Sequence, residues 1–218
     1  MASERIGIVV GLAAEARLAR LTGCLVAIGG GTPDGAAQAS RHLIAQHVTM
    51  LVSFGLAGGL DPMMRPGDLI VPEHVLTNGF RLATSASVND WLGGTTGHSL
   101  LGSDRIAVTR DDKRRLFLST GCAAIDLESG PAGMVAAEAG VAFGVLRAIC
   151  DPGSRTLPPA ALAALDGRGI IGLGRVLGSI LRHPRQIPAL LALARDAAAA
   201  RQALISRAVQ CGSTAGIR

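Results

Sequence analysis

The sequence predicts an α/β fold, a single domain with a central, mostly parallel but mixed sheet flanked by helices. Two observations predict it. Short apolar runs rich in β-branched residues alternate with stretches of helical spacing, and glycine-rich loops follow several of those runs. The composition supplies the material: of 218 residues, 49% are hydrophobic and 17% charged, enough core for one such domain and incompatible with wholesale disorder.

Residues 6–10 form a continuous apolar run that reads as a buried parallel strand ending at Gly11. Helical spacing follows over 13–21. A second strand over 24–28 ends at Gly29, Gly30 and Gly31, and Pro33-Asp34 leads into a helix over 36–46. The third strand, 50–54, runs into Gly55-Leu56-Ala57-Gly58-Gly59, read as a loop. A short strand over 69–71 follows Gly67-Asp68. The segment 78–103 is rich in Gly, Ser and Thr and reads as loop. A helix over 111–119, a strand over 123–127, a helix over 130–139 and a strand over 141–150 complete the alternation. In parallel sheets ligands sit outside the carboxyl ends of the strands. This rule gathers Glu15, the Gly29–Gly31 loop, the Gly55–Gly59 loop, Glu128 and Asp151 into one candidate constellation.

Residues 153–218 form a basic, apolar helical region. They carry 9 Lys+Arg against 2 Asp+Glu, whereas residues 1–152 carry 12 against 14. Apolar Ile170, Leu173, Val176, Leu177, Ile180 and Leu181 recur at helical spacing, and Arg168, Arg175 and Arg182 share one side of any helix built there. Pro184 and Pro188 interrupt before an Ala-rich helix over 189–209. The arginine stripe has three readings: a solvated face, an interfacial helix on anionic lipid through 166–193, or a nucleic-acid contact. No nucleic-acid motif accompanies the charge, and only 2% of residues are aromatic, which argues against base-stacking platforms. No apolar stretch reaches spanning length, and the polar start MASER is no signal peptide. Cys24, Cys122, Cys150 and Cys211 form no C-x-x-C pair and read as reduced thiols of a cytoplasmic protein. The five histidines form no ligand set, so neither a metal nor another cofactor is expected.

Three carboxylates can carry chemistry. Asp151 ends a strand before Pro152-Gly153, where it can act as a general acid if partly buried, or simply serve the turn. Glu128 follows the strand 123–127 with Asp126 two residues earlier. Such a pair can clasp sugar hydroxyls and stabilise positive charge on a sugar, or cap the next helix. Glu15 starts a helix in apolar surroundings and taken alone reads as a first-turn acid. The Gly29–Gly31 loop can offer backbone amides to a phosphate.

Ile6-Gly7-Ile8-Val9-Val10-Gly11 with Glu15, Gly55-Leu56-Ala57-Gly58-Gly59-Leu60 with Gly67-Asp68, Asp126-Leu127-Glu128 and Arg147-Ala148-Ile149-Cys150-Asp151 together resemble the nucleoside phosphorylase and nucleosidase superfamily. The four motifs stand in that family's order over about residues 6–152, with methylthioadenosine nucleosidases as the nearest general pattern. The short middle and the basic apolar C-terminal region look like the hopanoid-associated nucleoside phosphorylases, which are proposed to remove adenine from adenosylhopane.

The resemblance implies roles. Asp151 matches the aspartate that protonates the purine at N7, Glu128 the glutamate on the ribose hydroxyls, and Asp126 its acidic neighbour. Glu15 stands for the water-activating glutamate, one position before Ala16 at the matching column. Leu127 takes the place of a methionine under the ribose, and Ile106 that of an aromatic beside the base. Gly55, Ala57 and Gly58 belong to the substrate-binding loop. Ser53 stands where some phosphorylases carry a phosphate-binding arginine, and Leu56 where nucleosidases carry a serine near the attacking water. Hydrolysis and phosphorolysis therefore both stay open, with phosphate as a co-substrate in the second case. The implied enzyme is a homo-oligomer acting on a purine nucleoside, lipid-linked in the hopanoid branch. The alternatives are a soluble adenine nucleosidase of the methylthioadenosine type and a non-catalytic nucleoside- or lipid-binding protein.

Overall fold

The computed structural model describes residues 5–159, 161 and 184–215. Strand β1 (Ile6–Val10) pairs in parallel with β2 (Leu25–Ile28) on one side and with β3 (Met50–Gly59) on the other. β3 is ten residues long and central. From Met50 to Gly58 it pairs in parallel with β9 (Ala142–Asp151), and its last residues also meet β8 (Ala124–Asp126) antiparallel at Gly58 and Gly59. Beyond β8 the sheet continues through β7 (Ser99–Gly102), β5 (His74–Thr77) and β6 (Phe80–Ala83), while the short β4 (Leu69–Ile70) borders β9. The sheet is mixed: β4–β9, β5–β6 and β3–β8 are antiparallel and the other pairings parallel.

Alternation along the strands feeds two cores. Val9, Leu51 and Val145 face α2 (Pro33–Ala45) and α5 (Ser129–Ala139), which contribute Ala36, Leu43, Ala132 and Ala136. Ile8, Val10, Val52, Phe54 and Leu146 face the opposite way. There they meet α1 (Ala13–Ala19), α3 (Ala86–Trp91) and the long C-terminal helix, which places Ala200, Leu204, Ala208 and Cys211 on the sheet. Helices thus cover both faces, as the strand–helix alternation requires. The long helix (Ile187–Ala215) is α6 below, after α4 (Arg110–Thr120). It extends beyond the expected 189–209 at both ends.

Local signals fix the helix starts. Thr32 caps α2 by accepting from Gly35 N at 3.1 Å, with Pro33 in the first turn. α4 opens with a capping box: Thr109 Oγ1 accepts from Asp112 N at 3.1 Å, and Asp112 Oδ2 accepts from Thr109 N at 3.3 Å. This box sets the phase of α4, and with it the direction in which Lys113 points.

Two expected loops are corrected. Gly55–Gly59 is not a loop but the second half of β3. Its glycines admit close neighbours rather than a turn: a Cβ at Gly59 would lie 3.3 Å from Gly153 N. The segment 78–103 holds β6, α3 and β7 besides its turns. Asn78-Gly79, at φ 47° and 80°, is the two-residue turn that joins β5 to β6. None of the four cysteines is in a disulfide. The expected arginine stripe of Arg168, Arg175 and Arg182 falls outside the described residues, as does most of 166–193. Among the described residues, no helix is long and apolar enough to cross a membrane.

Candidate active site

Arg147 sits in the middle of an apolar parallel strand and is fully buried, a placement that demands compensation. Three carboxylates provide it. Arg147 Nη2 lies 2.5 Å from Asp126 Oδ2 and 2.9 Å from Glu128 Oε2. The same nitrogen donates to Ser53 Oγ at 2.7 Å and to Ser129 Oγ at 3.3 Å. Glu15 approaches from α1 and contributes charge at slightly longer range. Its Oε1 accepts from Leu56 N and its Oε2 from Leu12 N, both at 2.9 Å. Glycines make the convergence possible. A Cβ on Gly55 would come within 2.6 Å of both Arg147 Nη1 and Glu15 Oε1, and one on Gly11 within 2.5 Å of Glu128 Oε1.

One guanidinium serves three buried carboxylates, and the cluster sorts them by how well each is bonded. Asp126 spends its oxygens on Arg147, on Ser129 N at 3.1 Å and on the Ser129 hydroxyl. Burial raises the pKa of Glu15 above its ordinary value, against the pull of Arg147 and of the backbone N–H groups of Leu56, Leu12 and Gly11. Glu128 has Arg147 as its partner. Burial pushes its carboxyl up to about 7, with Asp126 and Glu15 adding to the rise and Arg147 opposing it. Burial also works against the charge on Arg147, but Asp126, Glu128 and Glu15 outweigh it and hold its pKa above the ordinary value.

Glu128 therefore binds its proton more tightly in the folded chain than in the unfolded one. That preference favours the fold below the ordinary value of 4.5 and is lost as pH rises through about 7. The raised Glu15 and Asp151 act in the same direction. The unfolding temperature is expected to fall between about pH 5 and about pH 8, and Glu128→Gln to flatten that slope. Thermal denaturation across this range checks it; an unchanged slope in the variant contradicts the assignment.

Asp151 ends β9, as expected. Its Oδ2 lies 2.5 Å from Lys113 Nζ, and its Oδ1 is buried without a hydrogen-bond partner. Burial raises its pKa above the ordinary aspartate value, against the opposing pull of Lys113 and Arg155. Its neighbour Cys150 is pushed up to about 12 by burial and by Asp151, which leaves no thiolate nucleophile there at neutral pH.

Asp151, Glu128 and Asp126 open onto one cavity of about 420 Å³, a size usual for small-molecule sites. Leu127, Ile106, Ala57 and Gly58 line it too, as the sequence suggested. Leu157, Leu190, Leu193, Ala194 and Ala197 make one wall strongly apolar. Other expected residues stand elsewhere. Ser53 and Gly55 lie beneath the surface, in or against the Arg147 cluster. Glu15 is also behind the lining, bonded to the amides of Leu12 and Leu56, which do line the cavity. The Gly29–Gly31 loop is not part of the lining. Gly29 N donates to Val10 O at 2.8 Å, and Gly31 abuts Leu12. Ala16, next to Glu15, is a core residue.

The sequence reading missed two residues. Arg147 was legible as a cation inside an apolar strand. Lys113 was legible as a lysine on the helix face shared with Leu116 and Phe117.

The Phosphorylase superfamily model matches residues 14–90. Among solved structures, 5′-methylthioadenosine/S-adenosylhomocysteine nucleosidase of Helicobacter pylori superposes with a TM-score of 0.66 at 16% identity, over 95% of this chain and 98% of that one. The chain has the nucleoside phosphorylase and nucleosidase fold. Futalosine hydrolase of Helicobacter pylori matches with a TM-score of 0.65 at 17% identity, over 83% and 98%. The nucleosidase of Colwellia psychrerythraea in complex with adenine gives 0.64 at 15%, over 81% and 96%. No curated protein matches the sequence. In this nucleosidase fold the mixed sheet brings the ends of β3, β8 and β9 to one cavity, which is where the acidic residues gather.

Proposed function

We propose that the protein cleaves the N-glycosidic bond of a purine nucleoside. One observation carries the reading: two carboxyl groups, Asp151 and Glu128, line one cavity, the first held by Lys113 and the second by Arg147. Acids in separate environments are what this reaction needs. The C1′–N9 electron pair leaves with the purine, and Asp151 supplies a proton to the purine at N7. Glu128 holds the ribose hydroxyls, and its charge, with that of the Arg147 cluster behind it, stabilises the oxocarbenium-like sugar. An oxygen nucleophile then attacks C1′. With water as nucleophile, the product is the free sugar and the water's proton is released to solvent through the cavity, Glu15 lying behind the lining; with phosphate, the product is a sugar phosphate. The structural neighbours, two nucleosidases and futalosine hydrolase, support this class of reaction.

The finer reading is an adenine nucleoside with a large apolar 5′ substituent, adenosylhopane in the hopanoid branch that the sequence resembles. The apolar wall of Leu157, Leu190, Leu193, Ala194 and Ala197 supports it. So does the basic region 153–218, which in this reading meets the anionic surface of the membrane that holds such a lipid. Adenine release from a series of 5′-alkylthioadenosines, with and without phosphate, tests it. kcat/KM is expected to climb with alkyl length, by up to about 0.8 kcal/mol of binding per buried methylene, or roughly fourfold. A flat or falling series favours a small thio-nucleoside as substrate. The phosphate dependence identifies the nucleophile.

A further inference from the structure

Lys113 occupies a position that ordinary helix energetics disfavour. It is the fourth residue of α4, close to the positive end of the helix dipole, and its side chain is 1% exposed. A lysine so placed loses hydration and gains nothing from its own helix. Its three donors are nonetheless all engaged: Asp151 Oδ2 at 2.5 Å, Arg155 O at 2.9 Å and Pro152 O at 3.2 Å. The ammonium thus grips both the carboxylate and the turn that follows it. The Arg155 side chain in turn pairs with Asp196 of α6, so the turn is fixed from two sides.

This grip has a chemical consequence. An ammonium donating to Oδ2 favours the ionised carboxyl, against the effect of burial, and fixes the plane of the group. Oδ1, by contrast, is buried and takes no hydrogen bond among the described residues, so the contact with Lys113 sets the orientation of the carboxyl.

We propose that Lys113 is a positioning residue for the reaction: it locks the Asp151 carboxyl in one orientation at the edge of the cavity. That this carboxyl acts on a purine rests on the function proposed above; the clamp does not. The charged and titratable groups that bear on Asp151 are Lys113 from α4, Arg155 from the turn, Asp196 from α6 and the adjacent Cys150. Of these, Lys113 is the one in direct contact with the carboxylate, so its removal is expected to dominate the change in titration.

The test compares wild type with Lys113→Met. The Asp151 carboxyl is followed by ¹³C NMR in protein labelled at aspartate Cγ, with Asp151→Asn identifying the resonance. In Lys113→Met the titration of Asp151 is expected to move up by about one pH unit or more. The alkaline limb of the pH–rate profile for adenine release should move with it. At neutral pH kcat is expected to fall on the order of 10²-fold, with KM little changed, because the acid is present but misoriented. A lysine that merely supported the fold would leave both the titration and the alkaline limb in place, and that result in folded Lys113→Met overturns the proposal. If Lys113→Met does not fold, Lys113→Gln keeps a donor in the pocket and makes the same comparison. If wild type releases base from no nucleoside, the proposed function fails, while the NMR titration still decides the clamp.

Discussion

Asp151→Asn is expected to lower adenine release by about 10²–10⁴-fold, the range that a positioned general acid contributes. Nucleoside binding should survive. Asparagine has nearly the same shape, keeps a carbonyl oxygen that can accept from Lys113, and lines the same cavity. What it cannot do is give up a proton to the leaving purine. Titration calorimetry with a tight nucleoside analogue, beside the rate measurement, separates the two effects. Loss of binding in step with turnover would mean that Asp151 holds the ligand rather than protonates it. Unchanged turnover would remove Asp151 from the chemistry.

The second large effect is on stability. Arg147→Met keeps volume and strand character but leaves Glu15, Asp126 and Glu128 buried around no cation. Removing one partner of a buried ionic cluster costs about 3–5 kcal/mol. For a chain of this size that is a fall in Tm of roughly 10 °C. The loss should be larger at pH 8 than at pH 5, since protonation of Glu128 relieves the uncompensated charge. Thermal unfolding of the variant at both values checks this. A variant as stable as wild type at pH 8 would show that the carboxylates do not depend on Arg147.

Most of the fold was legible because its physics is local. β1, β9 and the helices α2, α4 and α5 announce themselves through unbroken apolar runs, a threonine cap or helical spacing. The second half of β3 did not. Its glycines look like a turn in the sequence, yet they sit in a strand because β8, β9 and Arg147 press against them. The strands β6 and β7 hid in a segment rich in Gly, Ser and Thr, although Asn78-Gly79 marks a hairpin on its own.

The site divides the same way. Asp151 and Glu128 stand at strand ends, and a rule about sheets finds them. The partners that tune them, Lys113 and Arg147, come from residues 38 and 19 positions away. Only the folded register shows which carboxylate each one meets. Glu15 illustrates the gap. Its sequence position suggested an ordinary first-turn acid, whereas the close approach across Gly55 and Gly11 carries its carboxylate to the Arg147 cluster.

The most direct measurement is chromatographic detection of free adenine after incubating the purified protein with adenosine and with a 5′-alkylthioadenosine, each with and without phosphate. Adenine released in proportion to enzyme, and from the apolar substrate in preference, is the expected result. Intact nucleoside in every incubation of folded protein would contradict the assignment of this cavity to N-glycosidic bond cleavage in adenine nucleosides.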